Sequence, residues 1–532
     1  MRNSKKIVSC LLAALTVASM TACGPTGQTG AKEDPDNLAV YCVELGFGKD
    51  WCEQALKEFE KQDWVKEKYP NLTTTFISNT VESFATDKIK AGKGGNPYDL
   101  LFGSYLTEFK EGTVTDLTNT VYNTKVPGEE VLYKDKMFDT YKNYLKVSYE
   151  QNENESEKVW YYAPWAHSLC GIIYNKELLT ELGYQMPVTT DEFLALCNTL
   201  TNLKTDKYSK GYAATSSYEG DAYWSYWFYD LWAQYDTVDG YVNFYSGIDD
   251  YDSRSNKIFQ RKGRLYAAEV LQEMYKFENG YINRAASEMG YMTAQLAFLK
   301  GDGIFMPNGS WFSHEMSYLK QKAIDDGQKV YEIDYLPTPI VSKIIEKTPS
   351  INDDATLQAV IRAIDAGETS YASVSAADFK IIADARKVVY SQAPDHQAVV
   401  PEIADSKEVA YDFLRFLATD EAIELYAKYA TGSMAPFKYD IEVKNPTLFN
   451  TFDTMQKSRW VSAKSETMLP GEDNFSLFKK GGVSPFRTAV SYLYQKMSPK
   501  DSTITAQILF NETIEYWNNT NFADALTKAG LA

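Results

Sequence analysis

The chain has 532 residues, of which 44% are hydrophobic and 24% are charged, and its formal net charge is −18. A chain of this length is expected to form at least two domains. A charge this negative excludes nonspecific binding of nucleic acid or anionic lipid as its function.

The first 22 residues predict a secretory signal peptide, because a basic start precedes an apolar run from residue 7 to about residue 17. That run is too short to span a membrane. The Thr-Ala-Cys-Gly segment at 21–24 resembles the lipobox of bacterial lipoproteins, in which the cysteine carries diacylglycerol. We therefore expect lipidation of Cys23, a flexible tether over 23–37, and a protein held at the extracellular face of a cell membrane of the Gram-positive type.

Segments with the pattern of a strand alternate with segments with the pattern of a helix after the tether. Apolar runs predict strands at 38–43, 72–77 and 98–103, and apolar residues at helical spacing predict helices at 51–64 and 81–90. Strands that alternate with helices in this way are typical of a parallel α/β sheet. Ligands bind such sheets in the crevice beyond the carboxyl ends of the strands.

The most specific pattern of the chain combines three short segments. An aromatic-Pro step ends at Trp165, residues 171–178 read Gly-Ile-Ile-Tyr-Asn-Lys-Glu-Leu, and residues 187–193 read Pro-Val-Thr-Thr-Asp-Glu-Phe. Either Thr189 or Thr190 can cap a helix that begins there. In order, spacing and chemistry these segments resemble family 1 of the extracellular solute-binding proteins, the maltodextrin-type sugar binders of bacterial ABC importers.

The resemblance continues through 298–311 and covers nearly the whole mature chain. It implies an α/β, two-lobed, periplasmic-binding-protein-like fold of type II, in which each lobe is a mixed, mainly parallel sheet flanked by helices. A hinge between the lobes lets them close on a ligand. We predict lobe one at 38–160 and 352–440, and lobe two at 161–351 and 441–532. The implied function is the capture of oligosaccharides for the permease subunits of an ABC transporter, by a monomer without a cofactor.

Ligand contacts in this family vary with the sugar, so we predict them from chemistry and from position beside the expected cleft. Aromatic rings stack on the apolar faces of sugars, and carboxylate or amide groups bind hydroxyls directionally. For each residue the alternative is a core position, a cap, a turn or a solvated face. The predicted stacking residues are Trp165, Trp224, Trp227 and Trp311, the predicted hydroxyl-binding residues are Glu44, Asn79, Asp221 and Asn308, and Phe47, Trp51, Tyr105, Tyr223, Trp460 and Arg487 complete the predicted site.

Catalytic motifs do not support an enzyme. The three histidines, His167, His314 and His396, are far apart in sequence and lack metal-site spacing. The sequence has no Walker loop, dinucleotide fingerprint or G-x-S-x-G elbow. We therefore predict a binding protein and not an enzyme. The alternatives are a secreted carbohydrate-active enzyme and a receptor for another solute such as a peptide.

Two features stay open at the level of sequence. Once the signal peptide and Cys23 are set aside, four cysteines remain, which allow three pairings or buried free thiols: Cys42, Cys52, Cys170 and Cys197. The acidic segment 249–252 offers oxygen ligands without a complete EF-hand loop, so a structural calcium stays undecided.

Overall fold

A computed structural model describes residues 36–104, 106, 112–144, 147–148, 158–218, 220–391, 396–470, 476–485 and 504–531. The signal peptide, Cys23, Tyr105 and Arg487 lie outside the described residues, and so does the side chain of Asp221. No helix within the described ranges is long and apolar enough to cross a membrane.

The described chain alternates helices with short strands. The strands are β1 (Asn37–Val43), β2 (Thr73–Asn79), β3 (Leu100–Ser104), β4 (Val147–Ser148), β5 (Lys158–Val159), β6 (Ala163–Pro164), β7 (Cys170–Asn175), β8 (Phe305–Gly309), β9 (Ile333–Leu336), β10 (Val388–Val389), β11 (His396–Val399) and β12 (Thr467–Met468). The helices are α1 (Asp50–Phe59), α2 (Asp63–Lys68), α3 (Phe84–Ala91), α4 (Tyr133–Lys136), α5 (Asp139–Tyr144), α6 (Lys176–Glu181), α7 (Thr190–Asn202), α8 (Gly220–Asp236), α9 (Val238–Ser246), α10 (Gly263–Tyr275), α11 (Tyr291–Leu299), α12 (Phe312–Asp325), α13 (Asp354–Asp365), α14 (Ala376–Arg386), α15 (Lys407–Phe416), α16 (Asp420–Tyr429), α17 (Ile441–Lys444), α18 (Pro446–Thr451), α19 (Thr454–Ser462), α20 (Leu477–Lys480), α21 (Ala506–Tyr516) and α22 (Asn519–Lys528).

The first lobe is built on a five-stranded sheet of order β2-β1-β3-β11-β6. β1 runs parallel to β2 and β3, whereas β11 runs antiparallel to β3 and β6. β1 is buried along nearly its whole length, which explains its continuous apolar sequence. α1 packs on this sheet through Trp51, Ala55, Leu56 and Phe59, the face predicted by helical spacing.

The second lobe is built on a three-stranded sheet of order β8-β7-β9. β7 runs antiparallel to both neighbours, so the prediction of a mainly parallel sheet is wrong for this lobe. The first-lobe sheet is mixed, with two parallel and two antiparallel pairings. α7 begins where the sequence predicted, and Thr189 is its cap, because the Thr189 hydroxyl accepts a hydrogen bond from the backbone N–H of Glu192.

The apolar cores place two segments differently from the predicted lobe boundaries. α13 and α14 pack in the core of the second lobe, whereas α17 and α18 pack in the core of the first. The start of α13 is tied to the second lobe because Asp354 accepts hydrogen bonds from the hydroxyls of Thr189 (3.0 Å) and Ser342 (2.8 Å). The predicted boundaries at 352 and 441 therefore need correction at these helices.

The lobes are joined where the chain crosses between the two sheets. One crossing runs from β6 to β7, and another runs from β10 toward β11. The two crossings are held together because the Cys170 N–H donates to the Tyr390 carbonyl (3.0 Å). β10 also pairs with β12, so the segment that follows α19 is joined to this crossing.

Candidate functional site

Three glycines of the first lobe allow it to contact the start of α12 in the second lobe. A Cβ atom on Gly46 would lie 2.6 Å from Trp311 Cβ, and one on Gly48 would lie 2.6 Å from His314 Cε1. A Cβ atom on Gly432 would lie 3.0 Å from Trp311 Cα. A side chain at Gly46 would therefore collide with Trp311, so the absence of a Cβ atom lets the two lobes approach each other here.

Aromatic side chains from both lobes meet beside this contact. We call Phe47, Trp165, Tyr223, Tyr226 and Trp311 the interlobe aromatic cluster. The Phe47 ring centroid lies 6.1 Å from that of Trp165 and 6.3 Å from that of Trp311. Tyr223 and Tyr226, on α8, lie 6.1 and 6.0 Å from Trp311. The cluster therefore joins the loop after β1, the first crossing segment, α8 and the loop after β8.

Polar groups lie close to the cluster at the ends of strands. The His396 ring, at the start of β11, lies 4.6 Å from Phe47 and 5.1 Å from Trp165. Ser104 pairs with His396 across the sheet. The buried hydroxyls of Ser104 and Ser168 have no hydrogen-bond partner among the described residues. Buried hydroxyls are normally paired, so the Ser104 hydroxyl, opposite His396 in the sheet, is suited to bind a polar ligand.

Glu315 lies at the interlobe contact, since its Oε1 atom would be 3.2 Å from a Cβ atom on Gly46. Its other carboxylate oxygen accepts a hydrogen bond of 2.9 Å from the Gln295 amide. Burial raises the pKa of Glu315 to about 7, and the hydrogen bond from Gln295 opposes that rise. The contact between the lobes therefore contains a carboxyl group that titrates near neutral pH.

Helix α8 separates its aromatic residues onto two faces. Trp224 and Trp227 are fully buried in the core of the second lobe, where Trp227 packs against Phe193 at 4.8 Å. The packing of both tryptophans fits the alternative of a core position, and their contact with a ligand stays a prediction. Tyr223 and Tyr226 lie on the other face of α8, beside Trp311.

The other predicted residues lie at the edge of the cluster or away from it. Trp51 is buried behind the cluster and stacks on Trp165 at 5.4 Å and 19°. Glu44 is partly exposed and pairs with Lys49 (2.8 Å). Asn79 accepts hydrogen bonds from the Tyr41 hydroxyl and the Val81 N–H, which fits its alternative reading as a turn residue.

Two further predicted residues are buried in the described chain. The Asn308 side-chain oxygen accepts a hydrogen bond from the N–H of Gly309 (2.8 Å), which shapes the end of β8. Trp460, on α19, stacks on Phe452 at 6.4 Å. Tyr226, His396 and Ser168 were not predicted. Only the position of Tyr226 three residues after Tyr223, on the same helix face, could have indicated it.

A buried ionic network lies at the hinge. His167 Nε2 is 2.7 Å from Glu466 Oε1, and His167 Nδ1 is 2.9 Å from the Tyr141 hydroxyl. Arg459 donates to both carboxylate oxygens of Glu466, at 3.0 and 3.2 Å. Burial and the charge of Arg459 lower the pKa of His167 to about 4. Burial alone would raise the pKa of Glu466, but Arg459 and the bond from His167 outweigh it and lower that pKa to about 2.

Comparison with known proteins identifies the family. Residues 51–424 match the model of the bacterial extracellular solute-binding proteins, and the chain belongs to this family. The multiple sugar-binding protein of Streptococcus mutans is 25% identical over 171 residues, which are 32% of this chain and 38% of that relative. The match therefore spans well under half of the relative's length.

Solved structures share the fold. An ABC substrate-binding protein from Listeria monocytogenes in complex with cycloalternan has a TM-score of 0.51 at 13% identity, over 91% of this chain and 98% of that one. A chitin oligosaccharide binding protein has a TM-score of 0.52 at 15% identity, over 91% and 99%. The predicted family and the predicted α/β, two-lobed class of fold are confirmed.

Proposed function

We propose that this protein captures an oligosaccharide between its two lobes and delivers it to the permease of an ABC importer. The observation that carries the proposal is the interlobe aromatic cluster, because its rings come from both lobes and from the first crossing segment. Aromatic faces bury the apolar faces of sugar rings. The names of the relatives support this class of ligand, since they refer to multiple sugars, cycloalternan and chitin oligosaccharide.

The proposed ligand neighbours are Phe47, Trp165, Tyr223 and Trp311, with Tyr226 added from the geometry. The unpaired hydroxyls of Ser104 and Ser168 supply donors and acceptors for sugar hydroxyls. A cluster with several rings fits an oligomer better than a single sugar, because successive sugar units can stack on successive rings. Tyr105, Asp221 and Arg487 stay predictions.

The rest of the proposal concerns location and partners. The protein is anchored through lipid at Cys23, acts as a monomer, and presents its closed shape to the permease after the ligand binds. It releases the sugar unchanged and is therefore not an enzyme. The family description, extracellular solute binding, supports the location outside the cell and the binding role. The lipobox-like segment at 21–24 supports the anchor at Cys23.

Calorimetry against a broad panel of oligosaccharides tests the proposal. We expect saturable binding of at least one class of oligosaccharide, and chromatography after long incubation should recover the sugar intact. Failure of every sugar in the panel to bind would reject the ligand class. Cleavage products would instead support the carbohydrate-active enzyme.

A pair of variants on one helix region tests the position of the site. Trp311→Ala removes a ring of the cluster, and we expect affinity for the identified sugar to fall by about 30-fold or more. Tyr318→Ala is the matched control, because the Tyr318 side chain on α12 is 73% exposed and lies outside the cluster. Equal affinities of the two variants would place the ligand elsewhere.

A further inference from the structure

A small cavity lies between the two lobes, beside the loop that carries Trp311. Residues of both lobes and of α19 line it: Gly432 in the first lobe, Ser310 and Tyr335 in the second, and Arg459 on α19. The centre of a water molecule can occupy about 10 Å³ of this cavity. A buried water needs about 10–15 Å³ of such space, so the cavity has room for one water molecule or one small ion.

Three polar atoms of the lining residues have no hydrogen-bond partner within the part of the chain that the structure describes. They are the Ser310 hydroxyl, the Tyr335 hydroxyl and the Nε atom of Arg459, and all three are buried. Burial raises the pKa of Tyr335, whereas the Ser310 hydroxyl and the charge of Arg459 oppose that rise, which is consistent with their closeness around the cavity. The two hydroxyls nevertheless make no direct hydrogen bond of ordinary geometry. Because buried polar groups are normally paired, the three atoms indicate a polar occupant of the cavity.

The charges around the cavity favour water over an anion. Arg459 already donates to both carboxylate oxygens of Glu466, at 3.0 and 3.2 Å, so its positive charge is compensated. An anion in the cavity would be buried without a cation of its own, which is unfavourable. A water molecule can accept the hydrogen atoms of Arg459 Nε and of one hydroxyl and can donate to the other hydroxyl, so it satisfies all three atoms.

We propose that one structural water binds in this cavity and joins Ser310, Tyr335 and Arg459 by hydrogen bonds. Ser310 directly precedes Trp311, whereas Arg459 belongs to the buried ionic network at the hinge. The water therefore connects the Trp311 loop with the hinge. Because Gly432 of the first lobe also lines the cavity, the contact between the lobes encloses the water. The site does not depend on which ligand the protein captures.

Crystals grown with bromide in place of chloride test the proposal, with X-ray data collected at the bromine absorption edge. We expect a density peak at about 2.5–3.2 Å from each of the three polar atoms, without an anomalous signal. An anomalous peak would assign the site to an anion. The absence of a peak, or direct hydrogen bonds between the three groups, would show that no water binds. Each of these results would overturn the proposal.

Two variants test whether the water joins the two hydroxyls. Tyr335→Phe and Ser310→Ala each remove one partner of the water, so both should unfold at a lower urea concentration than the wild type. The double variant should lose less free energy of unfolding than the sum of the two single losses, because groups in one hydrogen-bond network are coupled. Additive losses would overturn the proposal. Tyr318→Phe is the control, since Tyr318 is 73% exposed on α12, and it should unfold like the wild type.

Discussion

The contact between the two lobes leaves no room for a side chain at Gly46. The three atoms nearest to an added Cβ are Trp311 Cβ at 2.6 Å, Trp311 Cγ at 3.1 Å and Glu315 Oε1 at 3.2 Å. All three belong to the second lobe, and Gly46 belongs to the first. A methyl group at this position therefore opposes closure without a comparable clash inside the first lobe.

The expected loss of affinity follows from how closely the added methyl group would approach Trp311. Carbon atoms pack best at about 3.5–4.0 Å, so a contact at 2.6 Å requires Trp311 and its backbone to move. Extra methyl groups in packed sites destabilise by about 1–3 kcal/mol. If only the closed state holds the ligand, Gly46→Ala should weaken ligand binding by roughly 5- to 150-fold.

Calorimetry with the identified oligosaccharide measures this effect, and small-angle X-ray scattering of the ligand-saturated protein reports the shape. We expect Gly46→Ala to bind more weakly and to unfold at a midpoint close to that of the wild type. Gly94→Ala is the matched control, because no atom lies within 4 Å of the added Cβ. Wild-type affinity in Gly46→Ala would refute the role of this contact in closure.

Three further predictions concern stability. Trp224→Ala should lower the free energy of unfolding by about 3–5 kcal/mol and leave the affinity of the folded protein unchanged, whereas lost affinity at full stability would return Trp224 to the ligand site. His167 has its pKa lowered from 6.5 to about 4, so stability should fall as the pH drops below 6.5. In urea unfolding, the free energy of unfolding of His167→Gln should depend less steeply on pH over this range, by up to about 1.4 kcal/mol per pH unit. An unchanged pH dependence would contradict the lowered pKa of His167. Glu315 has its pKa raised to about 7, so stability should fall as the pH rises from 4.5 to 7. Glu315→Gln should therefore be more stable than the wild type at pH 8, by roughly 3 kcal/mol, with no gain near pH 4.5; a gain at both pH values would contradict a titrating carboxyl.

Patterns that extend over a few residues were sufficient to predict the elements that depend only on neighbouring residues in the sequence. The first three strands and the cap at Thr189 were predicted because apolar runs and a capping hydroxyl act over a few residues. Between residues 407 and 429 the chain forms two helices, α15 and α16, although apolar residues recur at helical spacing through the whole stretch. The break lies at Thr419, whose hydroxyl accepts from the N–H of Ala422 and starts the second helix.

The choice of which face is buried required the tertiary structure. Helical spacing places Tyr223 and Tyr226 on one face of α8 and Trp224 and Trp227 on another, but either face could have packed in a core. Only the tertiary packing places the tryptophans in the second-lobe core and the tyrosines beside Trp311. The larger apolar surface of tryptophan favours that choice.

The sequence by itself determined the family, the class of fold and three members of the interlobe aromatic cluster that follow strands or a Pro step: Phe47, Trp165 and Trp311. The tertiary structure decided the lobe to which α13, α14, α17 and α18 belong, and the place of Gly46 at the contact between the lobes. Each of these features depends on contacts between residues that are far apart in the chain and meet only after folding. A pattern over a few residues cannot predict such contacts.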